Sequence, residues 1–427
     1  MVNANDFLKN NDNDALDAAI AARGADGVVV IPPRVHADGR DFWLLNRAIL
    51  LPANTTVILQ NCKIKLSDRC RDNFFRTANC GLGIDEVAPI ENVHIKGEGF
   101  CLLEGADRPR ASGDSSMTLA APCPHEVADL CRLGTWIPEE RRTPETIEFW
   151  DIHGHSYGTD AGKEGESQKG DWRGIGILFA NVTHFSISGL KIKESHGWAI
   201  SLEACAEGRV EKIEFDARMS KMVDGMLQNM ENQDGLDLRN GCHHITVSDI
   251  SGNTGDDVIA LTAIASSRCR KGGSLCDTHV MSEDWSKRER DIHDIIIRNV
   301  RAYSNHRFLI RLLSINTHIY NVVIDGVVDT SPESVSYRGI LIGDKDIAYG
   351  NNLPDGIRNV TISNVIYNSD RYAIHVKAYM KDSAITNVVS TRSTQPAILI
   401  DRENGLENVK ISNVIAPEGV ETIAQLS

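Results

Sequence analysis

A short phrase, Asn followed by alternating apolar residues, returns along the chain from residue 91 onward. A shorter apolar step follows each copy, such as GLDL at 235–238, VIAL at 258–261 and GILI at 339–342. Alternation with a period of two, many β-branched residues and punctuation by Gly, Asn and Asp are typical of strands rather than helices. The repeated phrase therefore predicts a chain made mostly of short strands.

Successive copies are spaced by roughly 20–35 residues, a period that is typical of solenoid proteins. One coil cannot bury its apolar face alone, so coils stack and their strands form long parallel sheets, with neighbouring strands about 4.8 Å apart. A β-sandwich is the alternative, but its hairpins would show many Asn-Gly turns, and the sequence has few. The spacing thus predicts an all-β fold of the parallel β-solenoid type.

Three segments depart from the repeat. NDNDALDAAIAARG at 11–24 has Asn and Asp caps, an Ala and Leu face and a final Gly, which predicts a helix. We expect residues 1–25 to cap the N-terminal end of the solenoid, where strand edges would otherwise be exposed. Residues 105–170 are predicted to form an inserted lobe, and residues 263–290 a basic loop insertion. The whole chain, 1–427, is predicted to be a single β-helix domain.

Composition narrows the possible partners. The formal net charge of −14 disfavours nucleic acid, because phosphate binding needs a basic surface. The longest apolar run, GVVVIPP at 27–33, is too short to span a membrane, so no membrane partner is expected. No apolar segment follows Met1, which leaves the localisation open: secreted or periplasmic if a signal peptide has been trimmed, otherwise cytoplasmic. The ten cysteines include no CxxC pair, and we expect buried free thiols rather than disulfides.

Stacking in register predicts a ladder of chemically active side chains. We take the residue two places before the first core residue of each short apolar step. If the coils stack without slippage, these side chains lie in neighbouring rungs along one sheet edge: Trp198, Asp234, Asp257, His306, Arg338 and Tyr372. Asp256 is then displaced along the strand from Asp257, and Asp237 is a supporting residue. Cys242, His243 and His244, which open a strand, are predicted to be core and flanking residues.

Three carboxylates in one place must share protons or cations. They suit hydrolysis of a glycosidic bond by inversion, in which one carboxyl group donates a proton and another activates water. That mechanism predicts carboxyl groups roughly 6.5–9.5 Å apart, which a diagonal offset between rungs can supply. They also suit calcium binding in a lyase. Solvated Asp residues at turns are the third interpretation, and it fits poorly with the predicted alignment with His306.

These residues resemble glycoside hydrolase family 28, the polygalacturonase family of right-handed parallel β-helices. The family pattern is NTD, then GDD about twenty residues later, then a GHG histidine on the next coil, then RIK. Here N-Q-D stands at 232–234, G-D-D at 255–257 and N-H-R at 305–307. The resemblance covers most of residues 10–415. It implies that Asp256 is the general acid, that Asp234 and Asp257 hold and deprotonate the water, and that His306 tunes the acid or positions the sugar.

The RIK motif is where the chain departs from the family. The aligned segment is GILIG at 339–343, so Leu341 and Gly343 replace the two cations that the resemblance implies for gripping a substrate carboxylate. Arg338, Arg311 and Lys345 are predicted to restore that charge. Two aromatic residues are predicted as further substrate contacts. They are Tyr372, placed by register and by the resemblance, and Trp198, placed at the cleft edge.

The sequence therefore predicts a hydrolase of a pectin-like plant polysaccharide or oligosaccharide, with galacturonan, rhamnogalacturonan or a related polymer as substrate. No cofactor and no metal are expected, and the oligomeric state is left open. Two alternatives remain. One is a β-helix polysaccharide lyase, and the other is a non-catalytic carbohydrate-binding solenoid.

Overall fold

The computed structural model describes residues 1–8, 11–68, 70, 72–81, 84, 86–107, 171–223, 225–230, 233–264, 280, 289–332, 338–343, 352–401 and 405–426. The predicted lobe at 105–170 and the predicted basic loop at 263–290 fall mostly outside these residues and stay predictions. The chain divides into two compact units. The first unit comprises Met1–Ser201, Ala217–Gln233 and Arg268–Ser282, and the second comprises Leu202–Asp216, Asp234–Ser267 and Glu283–Ser427. The single domain expected over 1–427 also stays a prediction.

The described residues form one α-helix and many strands. The helix α1 is Asp12–Ala21. The strands, in chain order, are β1 Val2–Asn3, β2 Val28–Ile31, β3 Trp43–Leu45, β4 Ile49–Leu51, β5 Thr55–Gln60, β6 Lys63–Leu66, β7 Phe75–Thr77, β8 Ile90–Glu98, β9 Leu102–Glu104, β10 Ile177–Ala180, β11 Val182–Lys193, β12 Ile200–Glu203, β13 Ala206–Asp216, β14 Ser220–Val223, β15 Met226–Asn229, β16 Leu236–Arg239, β17 His243–Thr254, β18 Ile259–Ile264, β19 Ile292–Ser304, β20 Phe308–Ile315, β21 Ile319–Asp329, β22 Arg338–Ile342, β23 Ile357–Tyr367, β24 Ile374–Val376, β25 Met380–Ser390, β26 Ile398–Asp401, β27 Leu406–Ile415 and β28 Ile423–Leu426.

In the first unit one sheet runs in the order β1-β2-β5-β8-β11, and a second runs β10-β7-β4. Neighbouring strands in both sheets pair in parallel, for example Val57 with Ile95. Strands β14 and β15 form a separate antiparallel pair. Alternate residues of the parallel strands, such as Val57 and Leu59, are fully buried, as the period-two pattern predicts.

The second unit has two parallel sheets. One has the order β13-β17-β19-β21-β23-β25-β27, and the other β16-β18-β20-β22-β24-β26-β28. Neighbours in each sheet are successive coils in the chain, so each coil contributes one strand to each sheet. Leu236 pairs with Ile259 in the second of these sheets, one coil further along the sequence. The predicted all-β parallel solenoid is confirmed.

The repeated Asn has a specific conformational role. Asn321, Asn359 and Asn408 have φ near +55°, in the left-handed region, which Asn tolerates better than most residues. Their amides form ladders between coils: Asn359 Nδ2 donates to Asn321 Oδ1 at 3.1 Å. The recurring Asn therefore marks the point in several coils where the backbone turns, and the apolar residues after it enter the core.

The predicted N-terminal helix is confirmed as α1. The Asn11 side chain accepts a hydrogen bond from the Asp14 N–H at 2.8 Å, which caps the helix. Leu16 and Ile20 are buried. Helix α1 contacts β2, β3 and β4 of the first unit, as a cap over the solenoid end requires. Among the residues that the structure describes, no helix combines the length and apolar character needed to cross a bilayer.

Six cysteines lie in the described part of the chain: Cys62, Cys70, Cys80, Cys101, Cys205 and Cys242. All six are buried, as predicted.

Candidate active site

Two loops of the second unit deliver three carboxyl groups to one place. Asp234 lies two residues before β16, and Asp257 lies two residues before β18. The Gly235 N–H donates to the Asp257 carbonyl oxygen at 2.8 Å, which fixes the two loops in neighbouring rungs. One carboxylate oxygen from each of Asp234, Asp256 and Asp257 lies within 4.8 Å of the others. The structure thus brings the three predicted acids together.

The nearest oxygens lie closer than the separation of roughly 6.5–9.5 Å that the sequence-based mechanism called for. The reason is the register. Because Leu236 pairs with Ile259, Asp234 and Asp257 occupy equivalent positions on adjacent rungs without a diagonal offset. Their spacing therefore follows the spacing of strands in a sheet, about 4.8 Å.

Hydrogen bonds hold the Asp256 loop in place. The hydroxyl groups of Thr254 and Ser304 both donate to the Asp256 carbonyl oxygen, at 2.6 and 2.7 Å. The Asp257 N–H donates to Asp256 Oδ1 at 3.0 Å, and the Phe308 N–H donates to Asp257 Oδ1 at 3.2 Å. The two carboxyl groups are therefore oriented by the backbone of their own loop and of the next rung.

Burial and mutual repulsion disfavour full ionisation of the cluster. Asp234 is 6% exposed and Asp257 is 1% exposed. Desolvation, and then the charge of Asp256, raises the pKa of Asp257 to about 7. Desolvation together with Asp256, Asp237 and Asp257 raises the pKa of Asp234 well above its usual range. Near neutral pH the cluster holds protons that isolated carboxyl groups would release.

Two arginines face the acids. Arg307 Nε lies 3.8 Å from Asp256 Oδ2, and Arg311 Nη1 lies 3.7 Å from Asp257 Oδ2. Both cations act to lower the pKa of Asp256, against the larger effect of its burial. Arg311 was predicted as a substrate contact. Arg307 was missed, although the triplet N-H-R that contains it is part of the aligned motif.

The register places His306 differently from the predicted ladder. Ile259 pairs with Ile310, so the residue beside Asp257 is Phe308 and not His306. The prediction took Phe308 as the first core residue of its step, whereas Ile310 holds that position. His306 is exposed and lies two residues before Phe308, outside the row that contains Asp257. Desolvation and Arg307 lower its pKa, while Asp256 raises it. Its catalytic role stays a prediction.

The next rungs follow the prediction. Phe308 pairs with Arg338, and the Arg338 guanidinium lies over the Phe308 ring, 5.5 Å from its centre. The Gly339 N–H donates to the Tyr372 carbonyl oxygen at 3.0 Å, which sets Tyr372 on the following rung. The Tyr372 ring lies 5.2 Å from that of His375. The row through Asp257 is thus Asp234, Asp257, Phe308, Arg338 and Tyr372.

A second row of side chains places a cation next to the position where the RIK motif is missing. Leu341 is fully buried, and its partner on the preceding rung is Arg311. On the other side of Arg311 the row continues to Ala260 and Asp237. A cation is therefore present one rung before the position where the family pattern has Arg.

Trp198 and Lys345 were also predicted as substrate contacts. Trp198 belongs to the first unit, is 7% exposed and packs with Trp172, Ile175 and Leu178. Its burial favours packing over contact with a sugar. Lys345 lies outside the described residues.

The acid cluster also has the donor set of a cation site. Three carboxylate oxygens within 4.8 Å of one another suit a hard divalent ion such as Ca²⁺. Without a bound cation the same carboxyl groups share protons, since burial and mutual repulsion raise the pKa values of Asp234 and Asp257.

The raised pKa of Asp257 predicts that the stability of the protein falls as the pH rises. A folded-state pKa of about 7, against 3.8 for an ordinary Asp, means that the folded state holds a proton that the unfolded chain releases. The contribution to stability is present below pH 3.8 and is lost as the pH rises to 7. We expect Asp257→Asn to raise the free energy of unfolding at pH 8, by up to about 4 kcal/mol.

Urea denaturation at pH 8 and at pH 4 measures this effect. At pH 4 the difference should nearly vanish, because Asp257 is then protonated in the folded state. Asp249→Asn is the matched control, since Asp249 lies on β17 outside the cluster and its φ of 57° suits Asn equally. Equal stability of Asp257→Asn and wild type at pH 8 would contradict the raised pKa.

Comparison with known proteins identifies the fold and the sequence family of the chain. A search of curated protein sequences finds no match. Among solved structures, a polygalacturonase from Erwinia carotovora ssp. carotovora is 13% identical, with a TM-score of 0.55 over 98% of this chain and 95% of that one. A family 28 exopolygalacturonase from Yersinia enterocolitica is 12% identical, with a TM-score of 0.51 over 99% and 77%. The surface protein and adhesin PfbA of Streptococcus pneumoniae is 14% identical, with a TM-score of 0.57 over 100% of both chains.

At these identities the likeness shows the fold, a right-handed parallel β-helix, as predicted. The sequence match is more specific. The model of glycosyl hydrolases family 28 matches residues 148–424, which include the three acids, His306 and both facing arginines. Because this match spans more than half of the chain, the protein belongs to glycosyl hydrolases family 28.

Proposed function

We propose that the protein is an inverting glycoside hydrolase of a pectin-like plant polysaccharide or oligosaccharide. The observation that carries the proposal is the buried cluster of Asp234, Asp256 and Asp257, with arginines beside two of its members. Glycoside hydrolysis needs one carboxyl group that donates a proton and another that activates water. Family membership supports the same reaction.

We assign the proton donor to Asp256. Its side chain is 16% exposed, whereas that of Asp257 is 2% exposed, so Asp256 is better able to reach a glycosidic oxygen. Burial raises the pKa of Asp256, which keeps a proton available for transfer. As the sugar–oxygen bond breaks, the proton moves from Asp256 to the leaving oxygen, and Arg307 faces the carboxylate that remains.

Asp234 and Asp257 then hold the water. Hydrogen bonds of about 2.7–2.8 Å from one water to two carboxylate oxygens can bridge a gap of this size. One of the two carboxylates takes the water proton while the oxygen attacks the anomeric carbon. Attack on the face opposite the leaving group inverts the configuration.

The arginines favour an acidic substrate. Arg307, Arg311 and Arg338 occupy two adjacent rungs beside the acids, and Arg guanidinium groups bind carboxylates well. Without substrate Arg311 faces Asp257, so it is already oriented toward the reaction centre. A uronate-containing chain such as galacturonan or rhamnogalacturonan fits this charge, and no nucleic acid or membrane is needed as a partner.

A matched pair of substrates tests the proposal. We expect the full-length protein to release reducing ends from galacturonan or rhamnogalacturonan oligosaccharides, and to cleave their carboxyl-reduced counterparts at least about tenfold more slowly, since a buried charged contact contributes about 1.5–3 kcal/mol. NMR of the first anomer released reports inversion or retention. No cleavage of any uronate oligosaccharide would overturn the hydrolase, and equal cleavage of the reduced form would overturn the acidic substrate.

A lyase is the second candidate, favoured by the capacity of the three carboxylates to bind a cation. A lyase would give an unsaturated product that absorbs in the ultraviolet, and chelation would abolish its activity. The same assay therefore separates the two reactions. A non-catalytic binding solenoid would retain oligosaccharides without releasing reducing ends.

A further inference from the structure

A cluster of histidines lies on the other sheet of the second unit. His243 and His244 open β17, and His293 lies near the start of β19, with Asp294 after it. His243 pairs with His293 in the sheet. One nitrogen from each of His244 and His293 and one carboxylate oxygen of Asp294 lie within 4.8 Å of one another.

We propose that His244, His293 and Asp294 bind one divalent transition-metal ion, of the class of Zn²⁺, Co²⁺ or Ni²⁺. Two imidazoles with a carboxylate suit these metals, whereas Ca²⁺ and Mg²⁺ prefer oxygen ligands alone. The site joins two coils and is separate from the acid cluster. Its failure would leave the proposed hydrolase untouched.

The carboxylate is oriented between the two imidazoles. Asp294 Oδ2 lies 2.6 Å from His293 Nδ1 and 3.7 Å from His244 Nε2. The other oxygen, Oδ1, accepts a hydrogen bond from Asn321 Nδ2 at 2.9 Å. Ligands at about 2.0–2.1 Å from a tetrahedral zinc lie about 3.3 Å apart, so small side-chain rotations bring these atoms to metal-binding distances.

The backbone supports the inference independently. His244 has φ of 53° and Asp294 has φ of 55°, at the turn where later coils have Asn321 and Asn359. Asn at this position continues the amide ladder between coils. In place of another amide, His244 presents an imidazole to Asp294. Metal-ligating carboxylates are commonly held by a second hydrogen bond, as Asn321 holds Asp294.

A stack of rings fixes the plane of His293. The His293 ring lies between that of His243, 4.9 Å away, and that of Tyr320, 4.8 Å away and nearly parallel. The Arg358 guanidinium covers the far side of Tyr320, 4.4 Å from the ring centre. His243 is itself fixed, because its Nδ1–H donates to the Gly241 carbonyl oxygen at 2.9 Å. A ligand ring that is already oriented loses little freedom when it binds an ion.

The sequence alone predicted Cys242, His243 and His244 as core and flanking residues, and the structure agrees: Cys242 is buried, His243 is half-buried and His244 is exposed. The His244 side chain is 49% exposed and that of Asp294 is 35% exposed. A metal ion can therefore reach the site from solvent, and water can complete its coordination.

Titration of the purified, untagged and chelator-stripped protein with Zn²⁺ tests the proposal, with Co²⁺ as a spectroscopic probe of imidazole ligation. We expect one Zn²⁺ per chain and a rise in thermal stability on binding. His244→Asn and His293→Gln should each weaken binding by at least about tenfold. His244→Asn restores the residue type of later coils, so it should fold.

His184→Asn is the matched control. His184 is exposed and has φ of 59°, but the flanking pairs Thr183–Glu91 and Phe185–Val93 place it beside Asn92 rather than a carboxylate. It should bind Zn²⁺ as the wild type does. Absence of stoichiometric binding to the wild type, or binding unchanged in both His244→Asn and His293→Gln, would overturn the site.

Discussion

Asp256→Asn should lower kcat/KM for the uronate substrate by about 10²–10⁴-fold, the usual contribution of a general acid. The amide cannot donate a proton of the required acidity to the leaving oxygen. Its carbonyl oxygen can still accept the Asp257 N–H, as Asp256 Oδ1 does at 3.0 Å, so the loop should keep its geometry. The loss should therefore appear in kcat, while KM changes little.

Reducing-end release under identical conditions for wild type, Asp256→Asn and the control Asp249→Asn measures this effect. Asp249 lies on β17 and accepts a hydrogen bond from Asn299, away from the acid cluster. Its Asn variant should keep full activity. If Asp256→Asn retained more than about a tenth of wild-type activity, Asp256 would not be the general acid.

Much of this site could be predicted because the repeat has a regular period. Asp234 and Asp257 precede equivalent apolar steps, GLDL and VIAL, and both steps start a strand at the same register. Each coil adds one strand to the sheet, so equivalent positions become neighbours in space. The period thus located the acid cluster without any structure.

The prediction of His306 was wrong in register for a local reason. The segment FLIRLL offers two possible first core residues, and an aromatic side chain looks like core in a sequence. Phe308 is indeed only 4% exposed, but arginines cover it: the guanidinium groups of Arg311 and Arg338 lie 5.9 and 5.5 Å from its ring centre. A side chain that is buried under long arginine side chains, rather than in the core, does not follow the alternating pattern of apolar residues in the sequence.

Specific contacts between residues of neighbouring coils could not be predicted from the sequence either. The pairing of Arg311 with Leu341 shows which cation lies beside the missing RIK position, and it depends on where each strand starts. The cluster of His244, His293 and Asp294 joins residues about fifty positions apart. Neither set of residues recurs from coil to coil, so the period of the repeat could not predict either contact.

Substitution of Arg239 is expected to have the largest effect on stability. It is fully buried in β16, and Glu203, also fully buried, and Asp237 lie close enough for their charges to raise its pKa. Desolvation acts in the opposite direction and dominates, so the pKa of Arg239 is lowered overall. A fully buried cation is stabilised by its acidic neighbours instead of by water, and it stabilises their charges in turn.

We expect Arg239→Leu to lower the free energy of unfolding by about 3–5 kcal/mol, because it leaves buried carboxylates without their cation. Urea denaturation at pH 7 measures the loss, with Arg301→Leu as control. Arg301 is exposed on β19, and its substitution should change stability by less than about 0.5 kcal/mol. Adding Glu203→Gln to Arg239→Leu should restore part of the loss, because it removes the buried charge of Glu203 that Arg239 no longer compensates. If the double variant were no more stable than Arg239→Leu, the buried charge of Glu203 would not be the source of the effect. A loss below about 1 kcal/mol in the single variant would mean that the two acids are already neutral in the folded protein.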